Sequence, residues 1–187
     1  MNKDSKATPS LGRRGFLGAC MGASASLILP ASAQAKGYHS GERKLSFYNT
    51  HTGEKLTSTY WADGFYLVDS VKDISWILRD FRTNEQYAMD MKLLDLLHEL
   101  QCKVDCKRPF HIISGYRSLK TNHMLRDKTN GVARRSLHMQ GKAIDVRIPG
   151  FDSAKLHKAA LSLKSGGVGY YPKSNFVHVD TGRVRTW

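Results

Sequence analysis

Alternating apolar and polar residues predict a β-hairpin followed by two helices in the first half of the folded region. Residues 45–51 and 55–61 are rich in β-branched and aromatic side chains, and they flank the turn sequence Thr52-Gly53-Glu54. Apolar residues at helical spacing predict one helix over 69–81 and a longer one over 88–100. Met91 and the leucines of the longer helix supply its apolar side, and we expect these leucines in the hydrophobic core.

Short strands alternate with helices over the remainder of the chain. In chain order, the pattern predicts a strand over 110–114, a helix over 118–127 capped by Ser118, a strand over 142–148, a helix over 153–164, and strands over 167–171 and 176–180. No internal repeat or low-complexity segment interrupts this order. It predicts the α+β class: a single domain in which a helical layer packs on a small, mainly antiparallel sheet.

The first 35 residues have the three regions of an export signal. A polar, basic segment ends at Arg13-Arg14, an apolar stretch follows, and small residues close it at 31–35 with an Ala-x-Ala cleavage site. The apolar stretch is short and diluted by Gly and Ser, which disfavours a membrane-spanning helix. The arginine pair resembles a twin-arginine signal, so the bacterial machinery that reads such signals is an expected partner.

Removal of this leader sets the expected domain boundaries. We expect a signal peptide at 1–35, a flexible tail at 36–44 and a folded domain at 45–187, with no stable membrane insertion after cleavage. A lipid anchor at Cys20 is the less favoured alternative, because most of the apolar stretch lies after that residue and would remain on the mature protein.

The composition adds a strong positive charge. The 187 residues carry a formal net charge of +13 at neutral pH. Outside the cytoplasm, anionic wall and membrane surfaces are natural partners of such a charge, although a solvated face that only aids solubility explains it equally well. Nucleic acid is not an expected partner, because the leader exports the chain. Cys102 and Cys106 can form a short bridge in an oxidising compartment or remain free thiols.

The residues with the clearest chemical meaning lie in the last third of the chain. The run Ser-Leu-His-Met-Gln-Gly-Lys-Ala-Ile-Asp at 136–145 places His138 before a glycine turn and Asp145 on the strand that follows. His178 and Asp180 are two residues apart on the last predicted strand. Because successive side chains of a strand point to opposite faces, these two face the same side. Two imidazoles and one carboxylate suit zinc, and three protein ligands leave a position for water, as in catalytic zinc sites. Each residue alone is more often structural, so the prediction depends on the joint pattern.

Several motifs in one order resemble a known enzyme family. Ser-Gly-Tyr-Arg-Ser at 114–118, the run at 136–145 and His-Val-Asp at 178–180 are similar to the superfamily of zinc D-alanyl-D-alanine carboxypeptidases and murein endopeptidases. That superfamily shares its metal-site architecture with lysostaphin-type peptidases and the hedgehog domain. The resemblance is closest to the murein endopeptidase K-like branch, also through Asn-Thr-His-Thr-Gly-Glu at 49–54 and Gly-Val-Gly-Tyr-Tyr-Pro at 167–172.

This resemblance implies roles for the metal-capable residues and for a neighbouring arginine. It extends over residues 45–187 and implies one Zn²⁺ ion per chain, with His138, Asp145 and His178 as ligands. Zinc in such a site lowers the pKa of bound water to about 7 and polarises the scissile carbonyl. By the same similarity, Arg117 grips a carboxylate or carbonyl group of the substrate, for which a guanidinium fork is suited. A structural ion pair is the alternative role for Arg117.

The general base departs from the family pattern. Several relatives have Glu or Asp three residues before the last histidine ligand, where this chain has Asn175. An amide cannot accept a proton at neutral pH, so we expect Asp180 to act instead, either as the catalytic base or as the partner that orients a ligand histidine. Further candidates, each more readily explained as structural, are His51, His111 and His123.

These expectations together predict a zinc-dependent murein endopeptidase in the periplasm of a Gram-negative bacterium. Its substrate is expected to be the peptide cross-links of peptidoglycan, and the branch implies the links between two diaminopimelate residues (L,D, or 3-3, links). A D,D-endopeptidase or D,D-carboxypeptidase of the same family is an alternative, because pocket shape decides which bond is cut. A second alternative, motivated by Asn175, is a peptidoglycan-binding module that keeps the metal site but does not cut.

Overall fold

The computed structural model describes residues 41–129 and 131–187, which fold around one mixed sheet. Its strands are β1 (Arg43–Asn49), β2 (Lys55–Ala62), β3 (Phe65–Tyr66), β4 (Phe110–Ser114), β5 (Ala143–Arg147), β6 (Gly167–Tyr171), β7 (Phe176–Asp180) and β8 (Arg185–Thr186). The helices in this part of the chain are α1 (Val68–Ile77), α2 (Met91–Lys103), α3 (Leu119–Lys128) and α4 (Ser153–Leu163). Two short 3-10 turns, Leu137–Gln140 and Pro172–Ser174, precede β5 and β7.

The sheet places strands from distant parts of the sequence side by side, in the order β3-β2-β1-β4-β5-β7-β6-β8. Neighbouring strands run antiparallel except in the β1–β4 and β6–β8 pairs, which are parallel. The predicted α+β class and the mainly antiparallel pairing are confirmed. The sheet is larger than expected because β3 and β8 extend its two edges. Each of these strands has two residues, too few to show an alternating pattern.

The core lies between the sheet and the helices α2 and α4. As the periodicity predicts, α2 has fully buried leucines at positions 93, 94, 97 and 100. They belong to one cluster with Phe47 and Phe110, which are direct partners across the β1–β4 pair. Met91, which the pattern placed on the apolar side, is exposed instead, at the first turn of the helix. Near the other end of α2, Cys102 is exposed and Cys106 is buried, and both are free thiols.

Aspartate residues set two helix boundaries that the apolar pattern misplaced. The helix predicted over 69–81 is α1, which ends at Ile77. Beyond it, Asp80 forms a separate turn: its carboxylate accepts from the N–H of Arg82, and its backbone groups bond to Asn84 and Glu85. The helix predicted over 88–100 is α2. It begins at Met91 because Asp90 caps it: the Asp90 carboxylate accepts a free backbone N–H of the first turn, that of Lys92, at 3.0 Å. Local hydrogen bonds of aspartate therefore override the apolar periodicity at the end of α1 and at the start of α2.

The predicted boundary between tail and domain moves by two residues, since β1 begins at Arg43. The side chain of Arg43 forms a 2.6 Å ion pair with Asp95 and stacks on the ring of Trp61. Arg43 and Lys44, which lie in the predicted tail, therefore pair with β2 in the sheet. The predicted leader, at 1–35, and the start of that tail lie outside the described residues. Within them, no helix has both the length and the apolar character to cross a membrane.

Asp80 links the segment after α1 to Ser118, the N-cap residue of α3, which directly follows Arg117. Its buried carboxylate accepts hydrogen bonds from the backbone N–H groups of Arg82 (3.0 Å) and Ser118 (2.8 Å). Ser118 in turn caps α3, as predicted, by accepting from the N–H of Thr121. Burial tends to raise the pKa of Asp80, but hydrogen bonds from Thr121, Ser118 and Arg82 outweigh burial and hold the pKa below its usual value.

We expect Asp80→Ala to lower the free energy of unfolding by about 1–3 kcal/mol, because the buried N–H group of Ser118 and the partly buried one of Arg82 lose their acceptor. An acid with a depressed folded-state pKa contributes stability above its unfolded-state pKa of about 3.9, and this contribution is lost as the pH falls through the folded-state pKa. Urea denaturation of both proteins from about pH 7 to about pH 3 should therefore show a shrinking difference. Asp73→Ala, at an exposed position of α1, is the control and should change stability little. If wild type and Asp80→Ala differed in unfolding free energy by the same amount at both pH values, the proposed contribution of the Asp80 charge would be contradicted.

Candidate metal centre

The three residues predicted as metal ligands meet at one point on the sheet. Asp145 in β5 and His178 in β7 are direct partners across the antiparallel pair, so their side chains leave the same face. His138 reaches them from the 3-10 turn that precedes β5, and Gly141, with φ = 65°, ends this turn in the left-handed conformation that glycine favours. All three side chains are buried, and one ligand atom from each lies within 4.8 Å of the other two.

Hydrogen bonds on the outer side of each imidazole turn one nitrogen lone pair of each ring toward this point. The Nδ1 atom of His138 lies 2.8 Å from the Gly115 carbonyl oxygen, which can only accept, so Nδ1 carries the proton and Nε2 is free. The Nε2 atom of His178 lies 2.9 Å from Asp180 Oδ2, which leaves Nδ1 free. The two free nitrogens are 3.2 Å apart, and they lie 3.3 and 2.8 Å from Asp145 Oδ1. Outer hydrogen bonds of this kind orient metal-ligating histidines.

The ionisation of the three residues fits a cation site. Burial would raise the pKa of Asp145, but the charges and hydrogen bonds of His138 and His178 hold it below its usual range. Burial lowers the pKa of His138. Burial would also lower the pKa of His178, but hydrogen bonds to Asp145 and Asp180, together with their charges, raise it to about 8. Beside this buried carboxylate, a proton on His178 supplies the positive charge, and a divalent cation bound by the same donors would take its place.

Asp180 is fully buried beside the centre, and its carboxylate is saturated with donors. Oδ2 accepts from His178 Nε2 and from Arg185 Nη2, and Oδ1 accepts from Arg185 Nη1 and the backbone N–H groups of Gly167 and Gly182. Burial would raise the pKa of this carboxyl group, but the bonds from His178 and Arg185 hold it below its usual range. Of the two roles predicted for Asp180, this geometry fits the orienting partner of His178, because both oxygens are engaged and closed to solvent.

Arg117 lies between the end of β4 and the start of α3, next to the candidate ligands. Its Nη2 atom is 3.6 Å from Asp145 Oδ2 and 3.3 Å from Ser114 Oγ. The side chain is 11% exposed, and its buried Nε–H has no partner in the part of the chain that the structure describes. Burial lowers the pKa of the guanidinium, which still remains charged at neutral pH. The loose contact with Asp145 leaves N–H groups of Arg117 available to a bound substrate.

The candidate ligands line an open cleft of about 480 Å³, a size typical of ligand and substrate sites. Its walls combine cationic and aromatic side chains, those of Arg117, Arg135, Arg185, Tyr171, Phe176 and Trp187. Among the described residues, the acids that line it are Asp145, which lies against His138 and His178, and Asp180, which is bonded to His178 and Arg185. The cleft therefore suits a ligand that carries carboxylate groups on apolar stems.

Asn175, at the position of the family acid, and the three histidines considered as alternative bases lie outside the cleft. Asn175 is exposed at the end of a 3-10 turn, with φ = 51°, and does not line the cleft. His51 stacks on Phe81 with ring centres 3.6 Å apart, and its Nε2 atom lies 3.0 Å from the carbonyl oxygen of Ile113. The three histidines considered as bases, none of which lines the cleft, are His51, His111 and His123.

The sequence patterns did not identify the contribution of the C-terminal residues. Arg185 and Trp187 line the cleft, where Arg185 contacts Asp180 and the Trp187 ring centre lies 5.1 Å from that of His178. Both residues belong to β8 or directly follow it, and two strand residues show no periodicity. The glycine pair in Gly167-Val-Gly169 could have indicated that other side chains pack closely there, since glycine inside a strand often marks a close approach by another group.

Two comparisons relate this chain to known proteins. The family model described as peptidoglycan L,D-endopeptidase MepK matches residues 38–187. The peptidoglycan L,D-endopeptidase MepK of Escherichia coli (strain K12) is 41% identical over 160 residues, which cover 86% of this chain and 88% of the relative. The probable peptidoglycan L,D-endopeptidase MepK of Haemophilus influenzae is 42% identical over 161 residues, which cover 86% of this chain and 87% of the relative. These matches confirm the resemblance inferred from the motifs: the chain belongs to the peptidoglycan L,D-endopeptidase MepK family.

Proposed function

We propose that this protein is a metal-dependent endopeptidase that hydrolyses peptide cross-links of peptidoglycan, namely the L,D-links between two diaminopimelate residues. The observation that carries this proposal is the convergence of His138, Asp145 and His178 in an open cleft, because it provides a cation site that a peptide can reach. Family membership supports the substrate, since the relatives are named as peptidoglycan L,D-endopeptidases. The cationic cleft walls fit wall peptides, whose diaminopimelate residues carry free carboxylates.

The cation in this proposal is Zn²⁺, one per chain, bound by His138 Nε2, His178 Nδ1 and the carboxylate of Asp145. Two neutral imidazoles and one carboxylate are a donor set of catalytic zinc sites, which keep one position open. When bound, zinc supplies Lewis acidity, which polarises a carbonyl group and makes water acidic enough to attack near neutral pH. The hydrogen bonds to Gly115 and Asp180 keep both imidazoles in the tautomers that this binding needs.

Arg117 and Asp180 have separate tasks in the proposed reaction. Arg117 donates its free N–H groups to the substrate, at the scissile carbonyl oxygen or at a neighbouring carboxylate, and stabilises the negative charge there. Asp180 keeps the Nε2 proton on His178 and thereby holds that ring in place. No further carboxylate lines the cleft within residues 41–129 and 131–187, so the acidic base of several relatives has no counterpart among these side chains.

The proposed reaction takes place outside the cytoplasm, where peptidoglycan lies. We infer that residues 1–35 are a signal peptide read by the twin-arginine export machinery, and that the mature domain acts in the periplasm. The arginine pair, the apolar stretch and the small residues before position 36 support this inference. The strongly basic composition favours contact of the exported domain with the anionic wall.

Among the described residues, no carboxylate other than Asp145 and Asp180 lines the cleft, and this supports an alternative function, a wall-binding module that keeps the metal but does not cut. The two functions predict different products from the same substrate. A module leaves cross-linked muropeptides intact although it binds whole peptidoglycan sacculi, whereas an endopeptidase releases monomers from dimers. Products therefore distinguish the two functions directly.

Zinc-loaded mature protein is expected to convert 3-3 cross-linked muropeptide dimers into monomers, detected by liquid chromatography with mass spectrometry. Dimers with the D-alanyl-diaminopimelate link (4-3) are the matched control and should remain intact. A chelator should stop the reaction, and added zinc should restore it. Cleavage of the 4-3 dimers alone would contradict the proposed bond and indicate a D,D-endopeptidase, and release of terminal D-alanine would indicate a carboxypeptidase. Sacculus binding without any product would favour the module.

A further inference from the structure

We propose that Arg185, on the edge strand β8, is a positioning residue of the metal centre: it holds Asp180 in the orientation that fixes the tautomer of His178. The inference rests on the proposed function only in taking His178 as a metal ligand. It extends the site to the C-terminal strand, which pairs with β6 at the far edge of the sheet.

Arg185 grips the Asp180 carboxylate with both arms of its guanidinium. Nη1 donates to Oδ1 at 3.0 Å, and Nη2 donates to Oδ2 at 2.7 Å. Oδ2 is also the atom that accepts from His178 Nε2, at 2.9 Å. A bidentate pair of this kind fixes the plane of a carboxylate, which a single hydrogen bond does not. The orientation of the oxygen that receives the imidazole proton is therefore set by Arg185.

The remaining donors to Asp180 cannot replace Arg185. The backbone N–H groups of Gly167 and Gly182 donate to Oδ1 alone, at 3.1 and 2.8 Å. Without Arg185, Oδ2 would retain only its bond to His178. In the described part of the chain, Arg185 is also the one permanently charged cation paired with this fully buried carboxylate. Because an unpaired buried charge is costly, loss of Arg185 favours a displaced Asp180 carboxylate.

The strand β6 has glycine at the two positions that face this arrangement. A Cβ atom at Gly167 would lie 2.5 Å from Asp180 Oδ2, and one at Gly169 would lie 2.7 Å from Cε2 of the Trp187 indole. The indole in turn lies against the guanidinium, whose central carbon is 4.9 Å from the Trp187 ring centre. The glycines of the Gly-Val-Gly motif therefore make room for the Arg185–Asp180 pair and for the ring that covers it.

Substitution of Arg185 tests this role through zinc affinity, measured by competition with a chromophoric zinc chelator. Arg185→Met removes both hydrogen bonds but keeps an apolar stem, and it should weaken zinc binding by about 10–100-fold, the usual cost of losing an outer hydrogen-bond partner. Arg185→Lys keeps a charge without the fork and should fall in between. Arg183→Met is the matched control: this side chain is exposed, and zinc affinity should be unchanged.

A second readout is the Nε2 proton of His178, observed by NMR in the zinc-loaded protein. We expect a slowly exchanging resonance in the wild type and a broadened, rapidly exchanging one in Arg185→Met. Unchanged affinity and an unchanged resonance in this variant would overturn the inference. If Arg185→Met does not fold without metal, the zinc affinity and the His178 resonance of Arg185→Lys provide the same test. Failure of the wild type to bind zinc would instead contradict the metal centre itself, so the two failures are distinguishable.

Discussion

Replacing His138 by alanine is expected to abolish zinc binding and, with it, hydrolysis of cross-linked muropeptides. His138 supplies one of the two imidazole nitrogens of the proposed centre, and its loss leaves Asp145 and His178 with an incomplete donor set. Loss of an outer hydrogen-bond partner costs about 10–100-fold in metal affinity, so loss of a donor itself should cost more. Zinc content after dialysis and product formation from 3-3 dimers measure the two losses.

His123→Ala is the matched control for this experiment, because His123 is exposed on α3 and lies outside the cleft. It should retain both zinc and activity. Thermal unfolding of the metal-free proteins separates lost metal binding from lost folding. If folded His138→Ala kept one zinc ion per chain, the proposed centre would be wrong. Full activity of the wild type after complete removal of metal would contradict it equally.

Replacing Arg117 by glutamine is expected to lower kcat by about 10²–10³-fold, the usual effect of removing one donor to a developing oxyanion. Zinc content should be unchanged, because Arg117 contacts the second oxygen of Asp145 only at 3.6 Å and donates no atom to the centre. Arg117→Lys should lose less, since it keeps the positive charge but not the planar fork. Steady-state kinetics with 3-3 dimers, together with zinc analysis of each variant, provide the measurement.

Arg134→Gln is the matched control for Arg117, because it removes the same charge from an exposed position near the cleft that does not line it. Its kcat should stay close to that of the wild type. The alternative role of Arg117, a structural ion pair with Asp145, predicts a different result. In that case Arg117→Gln would unfold at a lower temperature and lose zinc, while the zinc-loaded fraction would retain a normal kcat. That outcome would contradict the proposed contact with substrate.

Local sequence signals predicted most elements of this fold. The first hairpin, the strand over 110–114 and the Ser118 cap of α3 all follow from residue types within a few positions of one another. The boundaries of α1 and α2 were less accurate, because a single aspartate outweighs apolar periodicity at a helix end. The edge strands β3 and β8 were missed for a related reason: their two residues pair only because a longer neighbouring strand is already in place.

By itself, the sequence determined the donor types of the candidate centre, two imidazoles and a carboxylate, and the local turn and strands that hold them. Only the tertiary structure decided that β5 and β7 are neighbours with Asp145 opposite His178, and that both oxygens of Asp180 accept hydrogen bonds from Arg185. Local conformation depends on residues a few positions apart, which a sequence pattern records. Strand pairing and the burial of a carboxylate depend on the packing of the whole domain, which it does not.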